Sequence, residues 1–378
     1  MAKVKFGNVV KEYKGKIDQK NNPYEFYVAG DHMDTDDLTI RRRGRFATDD
    51  VGPAFIREFK KGQVLYGSRR TYLRKIAVAD FDGVTANTTF VLETKDESIL
   101  RQRLLPFIMY TESFTEWSIK KSKGSTNPYV LFKDLADYEF ELPDIGKQDE
   151  LVELLWSMID TRDAYNNLIV SIDELVKSQF IERFGGIDEQ HIRPLSEVCT
   201  LITDGTHNPP KFVNEGIPFL LVSNITGDVI TYDTTKFITE ATYNELIKRT
   251  PVEIGDLLLS TVGSYGHPAL VEDSTKFSFQ RHIALLKPNK TLIDSRFLHT
   301  SILAPDAQRQ IDELVQGVAQ KTLNLSAIKK IHIPVPSMDA QAAFIRFVRQ
   351  SDKSKFELRK ALAELTAMYK RIIQENLV

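Results

Sequence analysis

Apolar positions along this chain fall into two kinds of run. From residue 151 onward they recur every three and four residues: Leu151, Leu154, Met158, Thr161, Tyr165, Leu168, Ile172 and Leu175. That spacing places them on one stripe of a long helix, in the a/d register of a coiled coil, and no Gly or Pro falls between Gly146 and Gly185. Displaced by 193 positions, the same register returns as Phe344, Phe347, Ser351, Ser354, Leu358, Ala361, Leu365 and Met368, with a more polar first half. The pattern predicts two long helices, over 147–190 and 339–378. On this register Leu155, Ile169 and Val176 fall outside the stripe, on exposed faces.

Outside the long helices the periodicity shortens. Alternating or continuous apolar runs predict strands at Gly62–Tyr66, Lys75–Asp80, Thr89–Thr94 and Tyr138–Leu142. A second set is predicted at Asp256–Ser260, Pro268–Glu272, His282–Lys287 and Ile331–Val335. One helix is expected in each set, at Ser98–Lys120 and Asp294–Val315, and Pro143 and Pro336 close the two blocks. The blocks superpose at the helices' own offset: Tyr24–His32 falls on Ile217–Ile225, Lys61–Arg70 on Ile254–Gly263, and Gly124 on Gly317. Such internal similarity is the mark of a duplicated unit. The prediction is an α+β chain of two pseudo-repeated domains, 1–146 and 191–338, each followed by a long helix, with the two helices antiparallel.

Composition narrows the class. The chain has 378 residues, 42% hydrophobic and 27% charged, enough for two separate cores. No apolar leader opens it and no run approaches membrane-spanning length, so no membrane role is expected. A lone Cys199 excludes an internal disulfide and a CxxC metal site, which suits a reducing cytoplasm; the thiol itself reads as a small core hydrophobe. The net charge of −2 is uninformative as a sum, but residues 147–190 carry net −6 and residues 339–378 net +3. Opposite charge on two helices of one register favours their pairing; two separately solvated faces are the alternative.

Motifs for catalysis are missing. Asn22-Pro23-Tyr24 and Asn127-Pro128-Tyr129 lack the second Pro of an adenine-methyltransferase loop, and Asn208-Pro209-Pro210 is followed by Lys211, so all three read as turns. No phosphate-binding loop, HExxH or GxSxG occurs. Asp34, Asp36 and Asp37 read as a solvated turn. The chain is therefore read as a binder with no metal and no cofactor of its own. Its polar loops suit nucleic acid: Arg41, Arg42, Arg43 and Arg45; Ser68, Arg69, Arg70, Tyr72 and Arg74; Lys121, Lys123, Ser125 and Asn127. Their second-block counterparts are richer in amides and hydroxyls: Thr206, His207, Asn208 and Lys211; Ser223 and Asn224; Ser264 and Tyr265; Gln280, Arg281 and His282; Gln320 and Lys321. Arg and Lys can meet phosphates or guanine edges, and Asn adenine. Each residue alone reads equally well as a solvated loop. Clustering at equivalent places of both blocks is what favours contact.

Residues 195–226, LSEVCTLITDGTHNPPKFVNEGIPFLLVSNIT, with GDLLLSTVGSYGHPALV, FSFQRHIALLKP and IPVPSMDAQAAF after them, resemble a target-recognition domain and spacer of the specificity subunit of Type I restriction–modification systems. The first block matches by architecture more than by motif, and ITDGTH has no counterpart near Gly7–Lys16. The resemblance implies two target-recognition domains reading the halves of a split site on double-stranded DNA. It implies that the helices act as a ruler and as docking faces for two modification subunits, which bind S-adenosylmethionine, while restriction subunits add ATP- and Mg-dependent translocation and cleavage. It implies a cytoplasmic, non-catalytic subunit of a DNA adenine methyltransferase and site-specific deoxyribonuclease. Candidate docking positions are Leu151, Leu154, Met158, Tyr165, Leu168, Ile172, Leu175, Phe344, Phe347, Leu358, Leu365 and Met368. Rival readings are a subunit of another methylation-based defence complex, a self-contained methyltransferase, and a coiled-coil adaptor without DNA readout.

Overall fold

The structure, a computed structural model, describes residues 2–317 and 321–377 and divides into two compact units, one of residues up to 166 together with those from 359, the other of 167–358. The first unit opens with β1 (Ala2–Lys5), the single turn α1 (Phe6–Val9), β2 (Val10–Glu12), β3 (Phe26–Val28), β4 (Gly44–Arg45), β5 (Phe55–Phe59) and β6 (Val64–Gly67). It continues with β7 (Ile76–Val78), β8 (Gly83–Ala86), β9 (Thr89–Thr94), α2 (Leu105–Met109), α3 (Glu112–Lys121), α4 (Phe132–Ala136), β10 (Glu139–Leu142) and the start of α5 (Ile145–Phe184). An antiparallel sheet of order β2-β9-β6-β7 packs with a second sheet of order β4-β3-β8-β5, in which β3 and β8 run parallel; β1 and β10 pair separately.

The second unit repeats this plan. Its elements are the end of α5, then β11 (Ile192–Pro194), α6 (Leu195–Val198), β12 (Cys199–Asp204), β13 (Ile217–Leu220), β14 (Phe237–Ile238), α7 (Glu240–Leu246) and β15 (Leu257–Ser260). There follow β16 (Pro268–Leu270), β17 (Ser278–Phe279), β18 (Ile283–Pro288), α8 (Ser295–Leu303), α9 (Pro305–Leu314), α10 (Leu325–Ile328), β19 (His332–Pro334) and the start of α11 (Met338–Leu377). The sheets are β12-β18-β15-β16 and β14-β13-β17, the same order as in the first unit without an equivalent of β5.

Both predicted interior helices are broken, at equivalent places. Thr111, extended at φ −62° and ψ 149°, accepts from Phe114 N and starts α3 afresh after Tyr110. Ala304, extended before Pro305, separates α8 from α9; a residue ahead of proline is driven out of the helical region. The apolar periodicity runs through both breaks because both helices of each pair face the same core.

The helix seam differs from expectation by one residue in one of its two lines. Leu151, Met158, Tyr165 and Ile172 are buried or half-buried, but their companions are Leu155, Arg162, Ile169 and Val176. Leu154, Leu168 and Leu175 are 45%, 50% and 49% exposed. In α11 the same slip occurs: Ser351, Leu358 and Leu365 alternate with Val348, Lys355, Leu362 and Tyr369, while Met368 is exposed. Two packed positions carry charge, and this is why apolar counting selects the wrong line. Arg162 bonds Asp37 at 2.8 Å, and Lys355 bonds Asp173 at 2.8 Å, each within its own unit.

The helix ends close the cores. In the first unit Leu151, Val152, Leu155 and Ile159 of α5 and Ile373 and Leu377 of α11 join Phe107, Ile108 and Phe140. In the second, Phe180 and Phe184 of α5 pack with Phe297 and with Phe344 of α11. Cys199 is buried, as its residue type suggested, and burial raises its thiol to about 12.

On β5, Glu58 accepts from the phenols of Tyr24 and of Tyr13, the latter at 2.7 Å, and pairs with Lys60 at 2.9 Å. The Tyr24 and Tyr13 bonds lead in lowering its carboxyl from 4.5 to about 2. Because the folded value is depressed, this stabilisation is fully present above pH 4.5 and is lost as pH falls from there through about 2. Allowing for solvent screening, about 1–2 kcal/mol is involved. Acid titration of the folded chain should show Glu58→Gln less stable than wild type at neutral pH, with the difference shrinking as pH falls from about 4.5 through about 2.

Candidate nucleic-acid interface

In the first unit the chain leaves β6 through Ser68 and turns over Thr71–Leu73, a short 3-10 turn flanked by two non-glycine residues in the left-handed region. Arg70 has φ 49° and ψ 55°, Arg74 φ 48° and ψ 43°. Such conformations are costly for a side chain bearing Cβ, and they persist where the surroundings enforce them. The position equivalent to Arg70 is Gly263, with φ 76°.

Neighbouring backbone supplies that enforcement. Arg69 and Lys123 each form an isolated bridge with Tyr129, and Arg70 N donates to Pro128 O at 2.6 Å. These bonds bring the 68–72 and 122–130 loops together, so Arg69, Arg70 and Tyr72 stand beside Lys123, Ser125 and Asn127. Tyr72 is 52% exposed and Tyr129 40%. The guanidiniums of Arg69 and Arg70 make no ion pair among the described residues. Lys123 pairs with Asp134 at 3.0 Å, and Lys121 lies 4.7 Å from the Trp117 ring centre. Tyr129, which its Asn-Pro dipeptide marks as a turn residue, is also an aromatic residue inside a basic loop.

Other predicted residues are engaged with protein. Ser68 is buried and donates to Thr88 O at 2.6 Å. Arg74 donates to Asp36, Thr115 and the Tyr110 carbonyl, at 2.6, 3.1 and 2.8 Å. Arg43 lies 3.9 Å from the centre of the Phe26 ring and 5.0 Å from that of Phe81. Arg41 bonds Asp37 and Asp163, both at 2.6 Å. The turn holding Asp34, Asp36 and Asp37 is solvated only in part: Asp36 is exposed, but Met33 and Leu38 are buried, and Asp37 takes bonds from Arg41, Thr39 and Arg162. Burial pushes the Asp37 carboxyl upward, but the Arg41 and Thr39 bonds and the Arg162 charge outweigh it and hold it below the ordinary range.

In the second unit three loops converge. Thr206 bridges Gln280, Thr261 N donates to His282 O at 3.0 Å, and Leu323 N to Thr261 O at 2.8 Å. Gly205 makes the first approach possible, since a Cβ there would lie 2.3 Å from Phe279 O and 2.4 Å from Gln280 O. That close approach is the physical content of the glycine in ITDGTH. Thr206, His207 and Asn208 are thereby gathered with Gln280, Arg281, His282, Ser264 and Tyr265. His207 contacts Asp204 at 2.8 Å, and Arg249, absent from the sequence reading, bonds the same carboxylate at 2.5 Å. Burial, then the Arg281 charge, lowers the pKa of His282. Tyr265 bonds Asp312 at 3.0 Å, with the Lys321 ammonium 6.0 Å from its ring centre. Lys211 and Ser223 are exposed, and Gln320 lies outside the described residues. Asn224 is buried: its Oδ1 accepts from Leu221 N at 3.0 Å, and its Nδ2 donates to Thr231 O and Asp233 O at 3.1 and 2.8 Å. Its amide organises the 221–233 loop from within.

The loops therefore form one polar cluster per unit, basic in the first and rich in amides and hydroxyls in the second. Among the described residues no group of acidic, His or Cys side chains could hold a metal ion, and no helix is long and apolar enough to cross a membrane.

Comparison with known proteins bears on what such clusters read. The family described as Type I restriction modification DNA specificity domain matches twice, over residues 3–174 and 188–366. The specificity subunit of the Type I restriction enzyme EcoBI of Escherichia coli is 26% identical over 173 residues, 45% of this chain and 36% of that protein. The EcoDI specificity subunit of the same organism is 29% identical over 133 residues, 34% of this chain and 29% of that protein. The chain thus spans about a third of the length of these curated relatives. A chain from a structural study of type I restriction–modification assembly and conformational transition matches with a TM-score of 0.59 at 18% identity, covering 99% of this chain and 97% of that one. The S subunit of a type I system from M. genitalium matches with a TM-score of 0.55 at 16% identity, covering 100% and 96%. At these identities the structural likeness speaks for the fold.

Proposed function

This chain belongs to the Type I restriction modification DNA specificity family, and from that premise we propose that it is the sequence-reading, non-catalytic subunit of a Type I restriction–modification complex. The observation that carries the reading is the double family match laid over two polar loop clusters at equivalent places of a repeated fold. Each cluster reads one half of a split site on double-stranded DNA. In the first unit Arg69, Arg70, Tyr72 and Lys123 with Ser125 and Asn127 face the duplex. In the second, Thr206–Asn208, Lys211, Gln280–His282, Ser264 and Lys321 do so. Residues 147–190 and 339–378 serve as spacers, and the exposed line of Leu154, Leu168, Leu175 and Met368 receives two modification subunits. Methyl transfer from S-adenosylmethionine and ATP- and Mg-dependent cleavage belong to those and to the restriction subunits, in the cytoplasm.

Methylome sequencing tests this directly. A host expressing the chain with its modification subunit should carry methylated adenine in a split motif that a host lacking the chain does not. Assembly of the complex without any such motif would favour a coiled-coil adaptor instead.

Arg70 gives a sharper test of the first cluster. Replacing it with Gly removes the guanidinium while easing the left-handed backbone, so the two effects separate. Arg70→Gly should keep or raise the thermal midpoint yet weaken DNA binding about tenfold, with the salt slope falling by about one. Binding unchanged at all salt concentrations would remove Arg70 from the interface.

A further inference from the structure

A cavity of about 300 Å³ lies within the first unit, where the Asp36 and Arg74 loops and the Tyr110–Glu112 corner meet α5 and α11. Met158, Ile159, Leu365 and Ile373 make its apolar walls. Tyr110 lines it and is 6% exposed, yet its hydroxyl has no hydrogen-bond partner. If the ring only filled space, Phe would serve at this position without burying an unsatisfied hydroxyl. Tyr369, edge-on to Phe107 with ring centres 6.1 Å apart, adds a second phenol with no side-chain hydrogen bond among the described residues, and Lys370, also lining the cavity, has no ion pair among them. Arg74 and Arg162 also line the cavity but are already paired with Asp36 and Asp37. The repeat shows these features to be particular to the first unit. At the equivalent positions Leu303 stands for Tyr110, Val176 for Tyr369 and Phe180 for Ile373, and both Val176 and Phe180 pack into the second core.

We propose that this cavity binds a small planar aromatic ligand bearing an oxyanion, its ring between the apolar walls, an acceptor on the Tyr110 and Tyr369 hydroxyls and its charge on Lys370. A nucleoside monophosphate and an aromatic carboxylate share that chemistry. Calorimetric titration of the full chain with adenosine 5′-monophosphate and, separately, with indole-3-acetate distinguishes the sources. At least one probe should bind one-to-one with a dissociation constant of about 1 mM or lower. Tyr110→Phe, which conserves volume, should weaken that binding about fivefold, and Ile159→Trp, which fills the cavity, should abolish it; the thermal midpoint of each unliganded variant reports folding. Absence of binding by either probe, or an affinity that Tyr110→Phe leaves unchanged, overturns the site.

Discussion

Inserting four residues after Leu168 together with four after Ala361 should widen the gap between the two half-sites by one or two base pairs and leave both half-sites unchanged. The two points are equivalent under the offset of 193 that relates the repeats. They lie inside α5 and α11, continuous helices of 40 residues each. At about 1.5 Å per residue the insertion adds about 6 Å, against about 3.4 Å per base pair of duplex. The two polar loop clusters lie outside both helices, so their chemistry is untouched. Inserting in one helix alone displaces its packed line against an unaltered partner, and specific methylation should then be lost. Methylome sequencing of cells carrying the paired insertion measures the gap; an unaltered gap means that the helices do not set it.

How far the fold was legible depended on whether a feature recurred. β6 and β15 and α5 and α11 are related by the offset found in the sequence, because backbone conformation follows from apolar alternation and turn glycines such as Gly62 and Gly255, both with positive φ. The helix seam was half legible. One line is apolar and was found; the other contains Arg162 and Lys355, whose burial depends on acidic partners distant in sequence, and pattern counting has no access to those.

The candidate site divides in the same way. The structure brings the 68–72 loop beside the 122–130 loop, a proximity that clustering along the sequence does not give, nor does clustering tell a free guanidinium from a committed one. Arg69 and Arg41 look alike in sequence, yet Arg41 is held by Asp37 and Asp163, one of them 122 residues away along the chain. Asn224 illustrates the converse: an amide in a polar stretch can serve the loop's own backbone, since asparagine side chains imitate turn hydrogen bonding.

Gln148→Leu should strongly destabilise the first unit, and Gln341→Leu the second. Neither glutamine stood out in the sequence, yet they are related by the repeat offset and are 1% and 0% exposed. Gln148 sits in the first turn of α5, where its Nε2 donates to Ile99 O and Pro143 O, both at 2.9 Å, and its Oε1 accepts from Arg101 N at 3.0 Å. Gln341 does the same for Leu292 O and Pro336 O at 2.9 Å and Asp294 N at 2.8 Å. One side chain thus satisfies three backbone groups and fastens the helix start to the domain before it. Leucine matches the volume but leaves all three groups without partners, at a cost of about 2–5 kcal/mol. The loss should stay within one unit. Gln148→Leu should open residues of the first unit to hydrogen exchange and abolish recognition of its half-site, with the second unit protected as before; Gln341→Leu should give the mirror result. Equal loss of protection in both units would mean that the two cores do not unfold separately.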